Sequence, residues 1–351
     1  MANRLGHSLT VTSFGESHGP MVGVVIDGFP AGFQIDEAAV QAALDRRRPG
    51  QSDLSSSRNE SDRFEVLSGI FEGLTTGAPI AIVVPNKDQK SADYDALKTI
   101  YRPGHADQVY AEKYGHRDHR GGGRSSARVT AAWVAAGDIA RQYLHKAHAV
   151  TIQSVVSKVG TLGVGNVFEL DWTEAENNPL RCPDAQTAVS MGDLIRQTAE
   201  SGDSLGGIIS TCIRNCPAGL GEPLFDKLNA DLAKAMFSIN AVKGLEFGSG
   251  FAGTERKGSE NNDAAGSGRN NDGGITGGIS NGRDIIFNTA FKPVSSIAAE
   301  QMAFTIVGDI VPLQIKGRHD PCVLPRAVPI IEAMSALVLA DHLLLNLKYK
   351  K

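Results

Sequence analysis

The sequence predicts an α+β fold in one domain spanning residues 1–351, and three observations lead there. Short apolar runs bounded by Gly and Pro recur along the chain and read as strands. Three longer segments have helical starts, stops or apolar spacing. The two kinds mix irregularly, without the strict strand–helix alternation that builds a doubly wound sheet.

Taken in order, LTVTSF (9–14) and VGVVIDGFPAG (22–32) read as strands. Asp36 caps a helix that stops at Asp45-Arg46-Arg47-Arg48-Pro49-Gly50, where Pro and Gly cannot continue it. In LSGIFEGLTTGAPIAIVV (67–84) glycines sit beside the ends of further short apolar runs that read as strands. From Ala127 to Ala147, apolar residues at Val129, Trp133, Ala136, Ile139, Ala140, Tyr143 and Leu144 follow a 3.6-residue period and predict a helix. Strands are expected at 150–159, 206–215 and 284–291. The last helix, Val328 to Leu347, is apolar on nearly every face except at Glu332, Asp341, His342 and Asn346, the pattern of a core helix. TERKGSENNDAAGSGRNNDGG (254–274) has no apolar residue beyond alanine and cannot feed a core; it reads as a flexible surface excursion or as a lid.

Composition narrows the function. The chain carries a net charge of −4 with 6% aromatic residues, which argues against a nucleic-acid binder built on basic patches and stacked rings. No segment is expected to reach the ~20 apolar residues of a membrane span, and the start lacks the apolar core of a signal peptide. Cys182, Cys212, Cys216 and Cys322 have no zinc spacing and read as reduced thiols of a cytoplasmic protein without a metal centre.

Against that acidic background, GHRDHRGGGRSSAR (115–128) concentrates four arginines, two histidines and three consecutive glycines. Ser125 or Ser126 would cap the following helix, whose N-terminus offers free N–H groups, and Arg120, Arg124 and Arg128 add forked donors. This is a cradle for a small, strongly anionic ligand; the plain alternative is a capped helix with solvated arginines. Three further turns carry His, Arg or Asp: Phe14-Gly15-Glu16-Ser17-His18-Gly19, Tyr101-Arg102-Pro103-Gly104-His105-Ala106-Asp107, and Lys316-Gly317-Arg318-His319-Asp320-Pro321-Cys322. Each is weak singly, and together they suggest one composite site built from loops.

These clusters resemble the chorismate synthase family over essentially the whole chain. GESHG (15–19), GGRSSARVTAAWVAAGDI (122–139) and RHDPCVLPRAVPIIEAM (318–334) match its signatures, and RPGHAD (102–107), SINAVKG (238–244) and KPVSS (292–296) match as well. The resemblance is to the short bacterial form without flavin reductase activity of its own. It implies central helices between antiparallel sheets, with an internal pseudo-duplication, and a homotetramer. It implies a 1,4-anti elimination of phosphate from 5-enolpyruvylshikimate-3-phosphate to chorismate, requiring reduced FMN without net redox change, with an external flavin reductase and NADPH as indirect electron source. By the same resemblance His18 protonates or holds the reduced flavin, His105 protonates the leaving phosphate, and Ser17 and Asp320 relay a proton. FMN contacts fall on Arg124, Ser125, Ser126, Asn240, Ala241, Gly277, Lys292, Pro293, Val294, Ser295, Ser296 and Arg318, and substrate contacts on Arg47, Arg102 and Arg128. The chemistry is consistent: two carboxylates and two phosphates in one pocket need fixed cations. One departure stands at Asp53, where the family commonly has arginine; either Arg48 or Arg58 reaches in, or the loop shifts. Two competing readings are an ordinary flavin oxidoreductase on the same cradle, and an RNA-binding protein suggested by RGGGR.

Overall fold

A computed structural model describes residues 2–52, 54, 61–87, 97–315 and 320–349. The N-terminal half supplies β1 (Arg4–Leu5), β2 (Thr10–Gly15), β3 (Met21–Asp27), α1 (Glu37–Arg47), β4 (Glu65–Ser68), a small hairpin of β5 (Ile70–Phe71) and β6 (Leu74–Thr75), β7 (Ile80–Pro85), α2 (Asp107–Tyr114) and α3 (Thr130–His148). Its sheet is antiparallel in the order β1-β2-β3-β7-β4. The second half supplies β8 (Thr151–Val159), β9 (Leu162–Gly163), α4 (Ala185–Glu200), β10 (Gly207–Arg214), α5 (Leu228–Phe237), β11 (Val242–Phe247), α6 (Gly258–Asn261), the hairpin β12 (Ile275–Thr276) and β13 (Ile279–Ser280), β14 (Ile285–Phe291), the hairpin β15 (Gln301–Phe304) and β16 (Ile310–Leu313), and α7 (Leu324–Asn346). Its sheet, also antiparallel, runs β11-β14-β10-β8-β9.

The two long helices lie between the two sheets. α3 packs on β3 and β7, α7 packs on β8 and β10, and the helices pack on each other. One core cluster runs through all of these layers, from Val22 and Ile82 through Ile139 and Leu339 to Ile209 and Phe287. The α+β class expected from the sequence is what the chain forms.

Boundaries differ in instructive ways. The run 67–84 divides at its glycines: Gly69, Gly73 and Gly77 all take positive φ (85°, 78° and 84°) and separate the end of β4, the β5–β6 hairpin and the full strand β7. α3 begins at Thr130 rather than Ala127, because Ala127–Val129 winds as a tighter 3₁₀ turn. α4 and α5 were missed, although Ala188, Met191 and Ile195 on α4 are buried at helical spacing behind an Asp184 cap. The polar stretch 254–274 organises itself through hydrogen bonds instead of a core: Asp263 accepts from the Asn271 and Asp272 N–H groups (2.8 and 3.0 Å), and Arg256 reaches Asn271 (2.8 Å).

α7 is the element whose burial has to be explained. It starts one turn earlier than expected, and by length and composition it would pass as a membrane span, against the sequence expectation; 89% of its most apolar window is buried inside the protein. Its polar groups are each met. Glu332 accepts from Arg46 (2.6 Å) and from the Ser154 N–H (3.0 Å). Asp341 accepts from three successive N–H groups, His7, Ser8 and Leu9, at 2.7–2.9 Å. His342 meets Asp231 at 2.9 Å. Pro329 lies inside the helix and cannot donate to the Pro325 carbonyl four residues back; the buried Arg181 guanidinium donates to that oxygen instead.

All four cysteines are free and buried. Burial pushes the Cys212 thiol up to about 11 and those of Cys216 and Cys322 up to about 12, so they stay protonated and unreactive.

Where α3 crosses α7, Gly137 faces Ala333. A Cβ at 137 would lie 2.4 Å from the Ala333 Cβ and 2.5 Å from its Cα, so the helices would have to separate. Helix propensity alone favours alanine by about 1 kcal/mol, but forcing two buried backbones apart costs typically 1–3 kcal/mol or more. Gly137→Ala is therefore expected to lower the urea midpoint; an unchanged or raised midpoint would show that the crossing has slack.

Candidate functional site

The Gly-rich loop is the meeting point of two of the turns singled out in the sequence. A Cβ at Gly121 would come within 2.3 Å of the His18 ring, so that ring rests directly against the glycine backbone. Ser17 Oγ lies 3.1 Å from His18 Nδ1, and the Ser17 N–H points to the Gly123 carbonyl at 3.4 Å. From the other side, Arg102 donates to the Gly121 carbonyl at 2.9 Å. The expected helix cradle is modified. Ser126 Oγ accepts from the Arg128 N–H (3.2 Å) and so caps the 3₁₀ turn, while Ser125 Oγ donates to the Gly122 carbonyl (2.6 Å). Arg124 reaches back to β2, donating to the carbonyls of Gly15 (3.0 Å) and Ser13 (3.2 Å) and to Asn3 (3.2 Å), and Arg120 pairs with Asp118 on the surface.

His105 is backed by a carboxylate. Its Nδ1 lies 3.1 Å from Asp107 Oδ1, and Asp107 also accepts a forked pair from Arg102, Nε and Nη2, both at 2.8 Å. Burial alone would raise the Asp107 pKa; the hydrogen bonds and charges of Arg102 and His105 outweigh it and hold the carboxyl well below the usual range. An ionised carboxylate only accepts, so the shared proton sits on His105 Nδ1 and the ring presents Nε2 away from Asp107. The turn is fixed from a third direction. Lys292 Nζ and Ser295 Oγ both donate to the Gly104 carbonyl, at 2.8 and 2.7 Å. Burial, then the neighbouring Lys243 charge, lowers the Lys292 pKa.

The arginines expected to meet substrate directly have protein partners. Arg47 and Arg128 are both buried and both grip Asp62, whose side chain is fully buried: Arg47 Nη1 is 2.6 Å from Oδ2, and Arg128 Nη1 meets Oδ1. Arg47 further donates to the Ala127 carbonyl (3.0 Å) and Arg128 to Asn86 Oδ1 (2.7 Å) and the Pro85 carbonyl (2.9 Å). Burial alone would raise the Asp62 pKa, but the Arg47 and Arg128 charges bring it below the ordinary value. Arg102 is likewise spent on Asp107. Each of these three arginines, expected to contact substrate, is thus also held by a protein carboxylate, as a guanidinium this deeply buried requires. Among the described residues, two guanidiniums share the one carboxylate of Asp62, and Arg102 and Arg117 stand about Asp107, with Arg117 Nη1 3.6 Å away.

Of the other expected positions, Asp320 accepts from Arg326, whose Nε reaches the Arg47 carbonyl at 3.4 Å, so Asp320 borders the Asp62 cluster. Asn240 donates to the Ser125 carbonyl (2.6 Å), while its Oδ1 is buried without a partner. Ala241, at φ 69°, accepts at its carbonyl from the Lys292 N–H (2.9 Å). Val294 accepts from Ser204 (2.8 Å), with Pro293 and Ser296 in the same loop. Gly277 sits at the tip of the β12–β13 hairpin, facing open space. Asp53, Arg58 and Arg318 lie outside the described residues; Arg48 makes a long surface pair with Asp45 (3.9 Å). Beside the Gly-rich loop a cleft of about 870 Å³ opens, lined by Arg4, Arg117, Trp133 and Lys234 and, of the expected flavin contacts, by Arg124 and Ser125. That volume suits an organic ligand. Sequence reasoning missed Asp62, Asn86 and Arg326 as site residues. Asp107 stood in the quoted RPGHAD run, two residues from His105, and could have been found there.

Comparison with known proteins gives one answer. The family model for chorismate synthase matches residues 9–344. The chain is 55% identical to the chorismate synthase of Christiangramia forsetii over 98% of both chains, and 54% identical to that of Gloeothece citriformis, again over 98% of both. A crystal structure of chorismate synthase, 30% identical, superposes with a TM-score of 0.77 over 97% of this chain and 93% of that one.

The depressed Asp107 pKa sets a pH dependence. Its stabilisation is fully present above the unfolded value of 3.8 and is lost as pH falls below that toward the lower folded value. Asp107→Asn leaves Arg102 buried without its anion and is expected to cost about 3–5 kcal/mol at pH 7. The gap from wild type should shrink below pH 3.8. Urea titrations at pH 7 and pH 3 check this; a gap that does not narrow in acid would remove the ion pair as its cause.

Proposed function

The chain belongs to the chorismate synthase family, and from that premise we propose which of its residues carry the reaction. It is a carbon–oxygen lyase of the shikimate pathway. In the elimination, the C3–O bond breaks and phosphate leaves with the bonding electrons. The C6–H bond supplies the electrons of the new double bond, its hydrogen leaves as a proton, and no net oxidation occurs. Reduced FMN, when bound, supplies electron density and accepts that C6 proton.

The residues fit such a flavin. The buried, unpartnered Asn240 Oδ1 is an acceptor suited to a ring N–H, and Ser125, Ala241 and the 292–296 loop stand beside it, with Gly277 and Arg318 as further contacts by family analogy. His18 holds the ring side of the site, and Ser17 Oγ, 3.1 Å from His18 Nδ1, can pass a proton to or from it, with Asp320 as the onward partner. His105 protonates the leaving phosphate from Nε2. Asp107 on Nδ1 stabilises the imidazolium that must form first, and Lys292 with Ser295 keeps the turn in place. The guanidiniums of Arg47, Arg128, Arg102 and Arg117, gathered about the site, favour the substrate carboxylates and phosphate. The observation that carries this reading is that both histidine turns converge on Gly121, His18 against its backbone and Arg102 on its carbonyl. The chain is proposed to work as a cytoplasmic homotetramer supplied with reduced flavin by an external reductase, NADPH being the indirect electron source.

Anaerobic turnover with chemically reduced FMN and 5-enolpyruvylshikimate-3-phosphate should release phosphate and chorismate one for one and leave the flavin reduced. Net flavin oxidation with each turnover would instead make it an ordinary flavin oxidoreductase. In the same assay His105→Ala should lower kcat by about 10²–10⁴-fold with flavin affinity nearly unchanged; wild-type kcat would remove His105 from the proton transfer.

A further inference from the structure

We propose that Asn86 is a positioning residue for His18, and that the buried Asp62 carboxylate sets it through Arg128. The proposal rests on the reading of His18 given above. Asn86 follows the end of β7, and its side-chain amide faces two ways. Its Oδ1 accepts from Arg128 Nε at 2.7 Å, while its Nδ2 donates to the carbonyls of Glu16 (2.9 Å) and Gly19 (2.8 Å). Those two carbonyls flank Ser17 and His18. The Asn86 N–H adds a third tie, to the Pro20 carbonyl at 3.0 Å, and the turn closes on itself with the Gly19 N–H on the Glu16 carbonyl at 3.1 Å.

The direction of the amide is dictated by chemistry. A guanidinium N–H has only hydrogens to offer, so the oxygen must face Arg128 and the NH₂ must face the turn. Arg128 is in turn held by Asp62, by the Pro85 carbonyl at 2.9 Å, and by burial. A buried carboxylate at residue 62 thereby fixes a turn more than forty residues earlier, and the His18 ring is pressed against Gly121 with little room to shift. Aspartate at 86 would keep the acceptor for Arg128 but lose both donors, setting carboxylate lone pairs against the carbonyls of Glu16 and Gly19. Alanine would lose all three side-chain bonds.

The test uses the full chain, first without flavin. The His18 Cε1–H resonance, assigned by its disappearance in His18→Gln, should move in Asn86→Asp, in Asn86→Ala and, through Arg128, in Asp62→Asn. Asn86→Asp keeps the side-chain volume should the alanine variant fold poorly. In turnover with reduced FMN, Asn86→Asp should lower kcat by up to about 10²-fold, the cost of a misplaced group, while KM for substrate stays within about threefold. In a His18→Ala background the same change should cost less than about twofold, because the two act as one unit. An unmoved resonance in every variant, or losses that multiply in the His18→Ala background, would overturn the proposal. If the resonance moves as expected but His18→Ala turns over like wild type, Asn86 does position His18 and it is the catalytic reading of His18 that fails.

Discussion

A helix buried on nearly all faces cannot leave a polar atom unmet, and the fold is arranged around that constraint on α7. Three of its polar side chains and one broken hydrogen bond each draw in a different part of the chain. Glu332 calls up Arg46 at the end of α1 and the backbone of β8. Asp341 collects the N-terminal turn before β2. His342 fastens α5 through Asp231. The carbonyl freed by Pro329 is answered by Arg181 from the long connection between β9 and α4. A buried acceptor left without its donor costs about 1–3 kcal/mol, more when charged, so these four ties fix where the elements around the helix can lie. Apolar packing then needs only to fill the volume they define.

The site obeys the same logic with charges of the other sign. Arg47, Arg102 and Arg128 are too deeply buried to wait bare for a ligand, so Asp62 and Asp107 neutralise part of their charge and aim them. Among the described residues of these sets guanidiniums outnumber carboxylates, and they are held as rigid groups. A ligand bearing several negative charges then finds a field already in place, and little side-chain freedom has to be frozen when it arrives. The two histidines occupy different niches within that field: His105 leans on an anion, while His18 leans on a hydroxyl and a glycine backbone.

Much of this was legible in the sequence and some was not, for physical reasons. The α1 cap at Asp36, the periodicity of α3 and the unbroken apolarity of α7 are local signals, and they read correctly. The quoted motifs located His18, His105 and the Gly-rich loop. What could not be read was who partners whom. Nothing near residue 62 announces that its carboxylate joins Arg47 to Arg128, and an asparagine after a strand looks like any other. Pairing across the fold is decided by topology, and single-sequence patterns are silent on it.

The Asp341 contact also says something about the order in which this molecule can be completed. The N–H groups of His7, Ser8 and Leu9 find their acceptor 332–334 positions further along the chain. At a synthesis rate of 5–20 residues per second, roughly 15–70 s separate the emergence of those amides from that of their carboxylate. Through that interval the first sheet lacks the anion that fixes its leading turn, and α3, which covers that sheet, lacks α7 on its other side. The α3 face that will meet α7 must be tolerated or shielded on the ribosome, and the native state closes only when α7 arrives to pack on it and hold that turn.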